Sequence, residues 1–359
     1  MDIVMDMKLF ALEIPLTTEI VNLIAELDEF KGRWTATHAL APERLAALKQ
    51  VATIESVGSS TRIEGVKLSN VEVEALLRSV KTYSFRSRDE QEVAGYAEIM
   101  ELIFSSFAEI PLSEKYVKQL HGVLLKHSSK DERHRGEYKK LPNSVEAFDA
   151  SGKSLGVIFE TTSPFDTPKS MAELVGWTNA ELQEKKLHPL LVISILVVVF
   201  LKIHPFQDGN GRLSRALTTL LLLRHGYSYV PYSSMERVIE ENKDNYYLAL
   251  RRAQTSLGKK DSGIGEWIVF FLQCMQKQKA ALEKKLKDEV LFAKLPELSL
   301  QIIELVKQRG SASVLEVVIA TRANRNTVKA HFKALVASGH LVQDGAGRGS
   351  RYRQRFDGS

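Results

Sequence analysis

Apolar residues recur at steps of three and four along most of this chain, a spacing that predicts helices. Ile20, Leu23, Ile24, Leu27 and Phe30 form one such stripe behind Thr17 or Thr18 as cap, with Glu19 near the positive end of the helix. Pro42 suits the first turn of a second helix carrying Leu45, Leu48, Val51 and Ile54 toward Ile63, whose last turns Gly58 should leave loosely held. Further helices are expected over residues 88–107, after Ser113 as cap, and over 168–182, 189–203, 213–225, 235–255 and 265–291. Between 127 and 166 the period breaks, because charge, Gly136, Pro142, Gly152 and Gly156 interrupt short β-prone pieces. That predicts a long loop or hairpin serving as a lid or binding strip.

Past a lysine-rich helix end and Pro296, a domain boundary is expected near residue 297. Three helical patterns over 300–306, 314–321 and 327–338 lead into a stretch punctuated by Gly345, Gly347 and Gly349. Three helices and a glycine-tipped hairpin predict a winged helix-turn-helix over 297–355. The net charge of +5 belongs to this tail: residues 299–359 hold ten Lys or Arg against Glu304, Glu316, Asp344 and Asp357, leaving 1–298 at −1. Arg322, Asn324, Arg325, Asn326 and Lys329 cluster where such a domain faces a major groove, and Arg348, Arg351 and Arg353 would lie on the wing. A DNA partner and a protein contact, including a homodimer, both stay open for the tail.

A chain of 359 residues suggests two or three domains, and 44% hydrophobic content supports real cores. The most apolar run, from Leu190 to Leu201, contains Ser194 and stops at Lys202, short of the roughly 20 residues a bilayer span needs. No membrane association is expected. Asp2 and Asp6 near Lys8 are the wrong pattern for a secretory signal, so a cytoplasmic location is expected. Cys274, the single cysteine, excludes an intrachain disulfide and a cysteine-based metal cluster, and reads as a small buried hydrophobe.

The chemistry concentrates in His204-Pro205-Phe206-Gln207-Asp208-Gly209-Asn210-Gly211-Arg212-Leu213-Ser214-Arg215. His204 ends an apolar helix and can accept a proton when neutral. Asp208 offers a hard carboxylate for Mg²⁺, which binds through few protein ligands plus substrate phosphates. Gly209, Asn210 and Gly211 let the backbone turn into the start of a second apolar helix, whose unpaired N–H groups and positive end suit a phosphate. Arg212 and Arg215 project from neighbouring parts of its first turn, within reach of a polyphosphate.

This stretch resembles the signature of Fic (filamentation induced by cAMP) domains, HPFxDGNGRxxR, with every specified position matched. The resemblance implies an all-α Fic-type core over about 90–291, with a short β-hairpin flap, after an N-terminal helical region over 1–89. It further implies transfer of AMP from ATP to a Ser, Thr or Tyr hydroxyl of a target protein, or of the chain itself. In that reaction His204 takes the hydroxyl proton and Asp208 holds Mg²⁺. Gly209, Asn210 and Gly211 cradle the α-phosphate, while Arg212 and Arg215 grip the departing phosphates. Tyr246, Tyr247 and Gln254 stand where family members place adenine contacts, although tyrosines at helical spacing also suit a core.

Ser60-Thr61-Arg62-Ile63-Glu64-Gly65 resembles the inhibitory helix of class II Fic proteins, expected here over about 43–65. Ser60 and Glu64 share one helix face, so Glu64 can point at Arg215 with Ser60 supporting the same contact, and a carboxylate there excludes the γ-phosphate. The strip 136–145 is similar to the Fic flap, whose edge would align a target segment as an added strand. The competing expectation is a DNA-binding regulator in which the Fic body senses nucleotide.

Overall fold

The computed structural model describes residues 2–7, 10–36, 41–79, 85, 87–148, 154–257, 263–293, 295–345 and 347–354. The chain is mostly helical with a few small strands, and it divides into two compact units, Met1–Leu282 and Glu283–Ser359.

The first unit opens on an antiparallel hairpin of β1 (Asp2–Met7) and β2 (Phe10–Pro15), which the helical patterning of the N-terminal region does not anticipate. Helices α1 (Thr18–Ala36), α2 (Pro42–Ile63), α3 (Asn70–Ser79), α4 (Arg88–Ser106) and α5 (Glu114–Leu124) follow. The expected caps are in place: Thr17 Oγ1 accepts from the Ile20 N–H at 3.3 Å, and Ser113 accepts from Tyr116 at 3.3 Å. The expectation of a loosely held end to α2 is wrong. Its last turns, from Ser56 through Thr61, are buried, and Gly58 is packed so closely that a Cβ there would stand 2.6 Å from Asn70 Oδ1. The missing side chain lets α2 dock; the propensity argument counted only the backbone.

The interrupted region contains an antiparallel hairpin of β3 (Ser144–Phe148) and β4 (Ser154–Glu160). The extended edge therefore begins near the end of the expected 136–145 strip. Helices α6 (Thr167–Glu184), α7 (Pro189–Ile203), α8 (Asn210–Arg224), α9 (Met235–Glu241), α10 (Lys243–Ser256) and α11 (Ile264–Ala293) complete this unit, the unit boundary falling within α11. The helix expected over 235–255 is two helices, broken at Asn242, which leaves helical geometry and caps the Val238 carbonyl with its side chain at 2.7 Å.

Helices α7 and α8 are the centre of the core. In α7 every residue from Leu190 to Ile203 except Lys202 is buried, and in α8 every residue from Asn210 to Leu223 except Gly211. The β-branched run of α7 lowers helix propensity by at most about 0.7 kcal/mol per residue, against roughly 1.5–3 kcal/mol for burying each Val, Ile or Leu. Burial wins, and the segment stays helical. Pro189 opens the helix, His188 Nδ1 accepts the Leu190 N–H at 3.3 Å, and Trp267 of α11 donates Nε1–H to the Ser194 carbonyl at 2.7 Å. Cys274 is buried within α11, where burial raises its thiol to about 12 and keeps it unreactive.

The second unit contains α12 (Glu297–Arg309), α13 (Val314–Thr321) and α14 (Arg325–Ala337), then an antiparallel hairpin of β5 (Leu341–Asp344) and β6 (Arg351–Gln354). Ile302, Val306, Val317, Val328, Phe332, Leu335 and Leu341 form its core, with Tyr352 stacked on Phe332 at 4.0 Å. A Ser313–Glu316 capping box starts α13, and Arg322 ends it in the left-handed region. Arg322, Asn324, Arg325, Asn326 and Lys329 are exposed, Asn324 also capping α14. Arg351 is paired with Glu316 at 3.2 Å and Arg353 with Asp344 at 2.6 Å, whereas the side chain of Arg348 lies outside the described residues.

Candidate active site

The connection between the two most buried helices carries the motif. His204 caps α7 with φ 52°, a left-handed conformation that a residue with a side chain rarely adopts. Its Nδ1 faces the Leu201 carbonyl at 3.4 Å; a carbonyl only accepts, so the proton sits on Nδ1 and Nε2 keeps the lone pair. Burial, reinforced by the Lys139 cation, lowers the imidazole to about 4 against the opposing pull of Leu201, Glu64 and Asp208, so it is neutral at pH 7. A neutral imidazole with a free Nε2 is equipped to accept a proton.

The elbow is braced from within. Asn210 accepts the Phe206 N–H at 3.0 Å and donates to the Phe206 carbonyl at 2.7 Å, while Gly209 turns at φ 79° and gives its N–H to Asp208 Oδ1 at 2.5 Å. His121, which sequence reasoning missed, stacks on Phe206 at 3.8 Å. It accepts the Gly136 N–H on Nδ1 at 2.9 Å and donates Nε2–H to the Asp208 carbonyl at 3.1 Å, and its burial lowers it to about 4. Both of its ring nitrogens are thus committed, Nε2 to the elbow and Nδ1 to the loop at Gly136.

Helix α2 delivers Glu64 to the start of α8. Arg215 is buried, giving Nε–H to Ser60 Oγ at 2.8 Å and Nη2 to the Ser60 carbonyl at 2.9 Å and to Glu64 Oε1 at 2.7 Å. The same carboxylate stands against Gly211, where a Cβ would run into it. It fills the space over the first turn of α8 that an anion would take. Gly65, at φ 104°, ends α2, and the Val66 N–H bonds the Thr61 carbonyl at 3.2 Å. Two residues before Glu64, Arg62 pairs with Glu240 of α9 at 2.6 and 3.0 Å and caps the Leu68 carbonyl at 3.0 Å, which fastens the end of α2.

Arg212 is more deeply engaged than its place beside the glycine turn suggests. It is 2% exposed, with Nη1 3.0 Å from Glu92 and Nη2 3.2 Å from Asp208. Arg88 completes a ring of alternating charge, 2.7 Å from Glu92 and 3.0 Å from Asp208 Oδ2. Burial works against the Asp208 charge, but Arg212, the Gly209 N–H and Arg88 together hold its carboxyl below the ordinary range. Neither Arg88 nor Glu92 carries a motif signal, since their roles arise only when α4 packs on α8.

Among the described residues no group of three or more His, Cys, Asp or Glu could hold a metal unaided. One carboxylate beside a helix start fits Mg²⁺ only as an ion that arrives with phosphate oxygens and keeps several waters. Tyr247 lies against the end of α2, its hydroxyl 3.5 Å from the Ile63 carbonyl, and is 37% exposed. Tyr246 is buried against Trp267 and Phe270, as the core reading of that tyrosine expects, and Gln254 is buried on the same helix.

A family model described as Fic/DOC family matches residues 111–222. The chain is 27% identical over 268 residues to a protein adenylyltransferase Fic of Drosophila mojavensis, covering 73% of this chain and 48% of that protein. It is 28% identical over 214 residues to the one of Culex quinquefasciatus, covering 59% and 40%. The chain spans about half the length of the curated relatives it matches. A crystal structure of a Fic family protein from Desulfovibrio desulfuricans G20 shares the fold, with TM-score 0.61 at 23% identity over 96% of this chain and 98% of that one. A Fic domain containing signaling protein from Bacteroides thetaiotaomicron VPI-5482 matches with TM-score 0.59 at 26% identity, over 76% and 97%. The motif seated between α7 and α8 lies inside residues 111–222, the span that matches the Fic/DOC family model.

Proposed function

We propose that this chain is a protein adenylyltransferase of the class II kind, held inactive by Glu64. Nε2 of His204 would take the proton of a Ser, Thr or Tyr hydroxyl as its oxygen attacks the α-phosphorus of ATP, and diphosphate would leave. Gly209, Asn210 and Gly211 would seat the α-phosphate at the start of α8, Arg215 would hold the far phosphates, and Tyr247 and Gln254 would flank the base. Arg212, sunk beneath the elbow, would act on the phosphates through its field and through Asp208. Mg²⁺ on Asp208 would neutralise phosphate charge when bound. The name shared by the curated relatives supports this reading, but the observation that carries it is the Glu64 carboxylate, held by Arg215 against Gly211 where the proposed phosphate would sit.

The test is incubation with labelled ATP and Mg²⁺, reading label on the chain and on lysate proteins. His204→Ala should lose about 10² to 10⁴ in rate, the range for a general base. Undiminished labelling by that variant would sink the assignment, and a regulator that only senses nucleotide would leave no covalent label in any variant.

The second unit reads as a winged helix-turn-helix, with α14 presenting Arg325, Asn326 and Lys329 to a nucleic acid or protein partner. Arg351 and Arg353, already paired within the unit, would contribute less than α14. Among the described residues no helix is long and apolar enough to cross a membrane.

A further inference from the structure

Lys139 is a buried lysine outside the motif. Only 3% exposed, it places Nζ 2.7 Å from Asn143 Oδ1, 2.7 Å from Thr161 Oγ1 and 3.1 Å from the Ile203 carbonyl, so all three of its protons have oxygen partners. Its own N–H bonds the Pro205 carbonyl at 2.9 Å. Asn143 continues the pattern, giving Nδ2 to the Phe206 carbonyl at 2.9 Å and to the His204 carbonyl at 3.4 Å. The four consecutive carbonyls from Ile203 to Phe206 are therefore held by two residues at the base of the β3–β4 hairpin, and Thr161 ties the far side of that hairpin to Asn143 at 2.6 and 2.7 Å.

A buried ammonium is retained only where desolvation is offset by partners in good geometry, and a lone lysine in an interior is rare without a duty. What these bonds hold is a stretch of backbone that a residue with a side chain takes into the left-handed region, His204 at φ 52°. We propose that Lys139 is a positioning residue for His204, fixing the peptide that carries the imidazole and joining it to the hairpin that would present the target. This inference rests on the adenylyltransferase reading and adds a residue to it.

The charged groups facing His204 are Lys139 from the hairpin base, Glu64 from the end of α2 and Asp208 from its own loop. The two carboxylates favour the imidazolium and the ammonium opposes it. Burial lowers Lys139 to about 8, so it remains largely charged at neutral pH. Deleting that cation removes a charge that reinforces burial in keeping the base unprotonated beside two anions.

The experiment uses the full chain with Lys139→Met, which keeps the length and apolar stem and deletes the ammonium. The His204 imidazole is titrated by side-chain NMR, its signal assigned by comparison with His204→Gln, and kcat and KM for ATP are measured in a Glu64→Ala background. The expected result is an imidazole pKa displaced upward, kcat lower by about 10²-fold as for a misplaced catalytic group, and an unchanged KM for ATP. An unmoved imidazole in a folded variant overturns the proposal, as does a raised KM with kcat preserved. Should Lys139→Met fail to fold, Lys139→Gln deletes the same charge while keeping a polar N–H donor for the oxygens around it, and the same upward displacement is expected; its absence overturns the proposal equally. If the parent with Glu64→Ala transfers no AMP at all, the adenylyltransferase reading fails, while the imidazole titration still decides the role of Lys139.

Discussion

Replacing Glu64 by alanine should raise both ATP affinity and AMP transfer. Glu64 Oε1 lies 2.7 Å from Arg215 Nη2, a charge-assisted contact of the kind that contributes roughly 1.5–3 kcal/mol. The glutamate side chain is 31% exposed, so solvent screening favours the lower end, and about 1.4 kcal/mol corresponds to tenfold in apparent affinity. Glu64→Gln separates the two components of the lock. If charge dominates, glutamine releases the nucleotide site nearly as far as alanine does; if bulk against Gly211 dominates, it stays inhibited. Calorimetric titration with a non-hydrolysable ATP analogue reads affinity, and label transfer reads activity. Removing the carboxylate also leaves the Arg215 guanidinium buried without an anionic partner, still bonded to Ser60, so ATP should raise the melting temperature of the variant more than that of the parent. Alanine and glutamine variants that fold normally, bind the analogue no more tightly and label no faster would refute the reasoning.

Glu240→Gln breaks the bidentate contact to Arg62, loosening the end of α2 without touching a phosphate-facing residue; from roughly 0.5–1.5 kcal/mol, transfer should rise about two- to tenfold, and unchanged labelling would count against the clamp. Arg212→Met leaves Glu92 and Asp208 facing each other beside a buried hole, which should cost roughly 3–5 kcal/mol and lower the thermal midpoint by roughly 10 °C; an unchanged midpoint would free Arg212 of that duty. Burial lowers His121 and His204 to about 4, against about 6.5 in an unfolded chain, so between those values the unfolded chain binds more protons. Stability present above about 6.5 should therefore be lost as pH falls toward 4, by about 3 kcal/mol for His121, and denaturant midpoints at pH 7 and pH 4 measure it. Transfer by the Glu64→Ala variant should persist below pH 6, and a rate that collapsed near 6.5 would show the base titrating normally.

Local signals made much of the fold legible in the sequence. Thr17, Pro42, Ser113 and Pro189 act within one turn of where they stand, and the helices they begin were readable to within a few residues. The strands β1 and β2 were not, because they pair with each other in a stretch lacking a period-two signal strong enough to outweigh helical patterning around it. Gly58 misled for the same reason that Arg88, Glu92, His121 and Lys139 stayed invisible: each acts on a partner distant along the chain, and neither propensity nor spacing reports such a contact. The Glu64–Arg215 contact, 151 residues apart in sequence, was legible only because both halves lie in motifs.

Gly211 leaves a gap about one carboxylate wide, and on the proposed reading two anions claim it, one permanently attached to α2 and one free in solution. Inhibition of that geometry is surmountable. A sufficient supply of ATP displaces the tethered competitor with no other signal, so the chain would behave as a gauge of nucleotide abundance, its half-saturation point set by how firmly α2 is anchored. No side chain at 211 can relieve the block, because whatever ousts Glu64 from that gap also fills it. Tuning must come from the anchoring contacts, which leaves the sensitivity of the gauge adjustable far from the chemistry it controls.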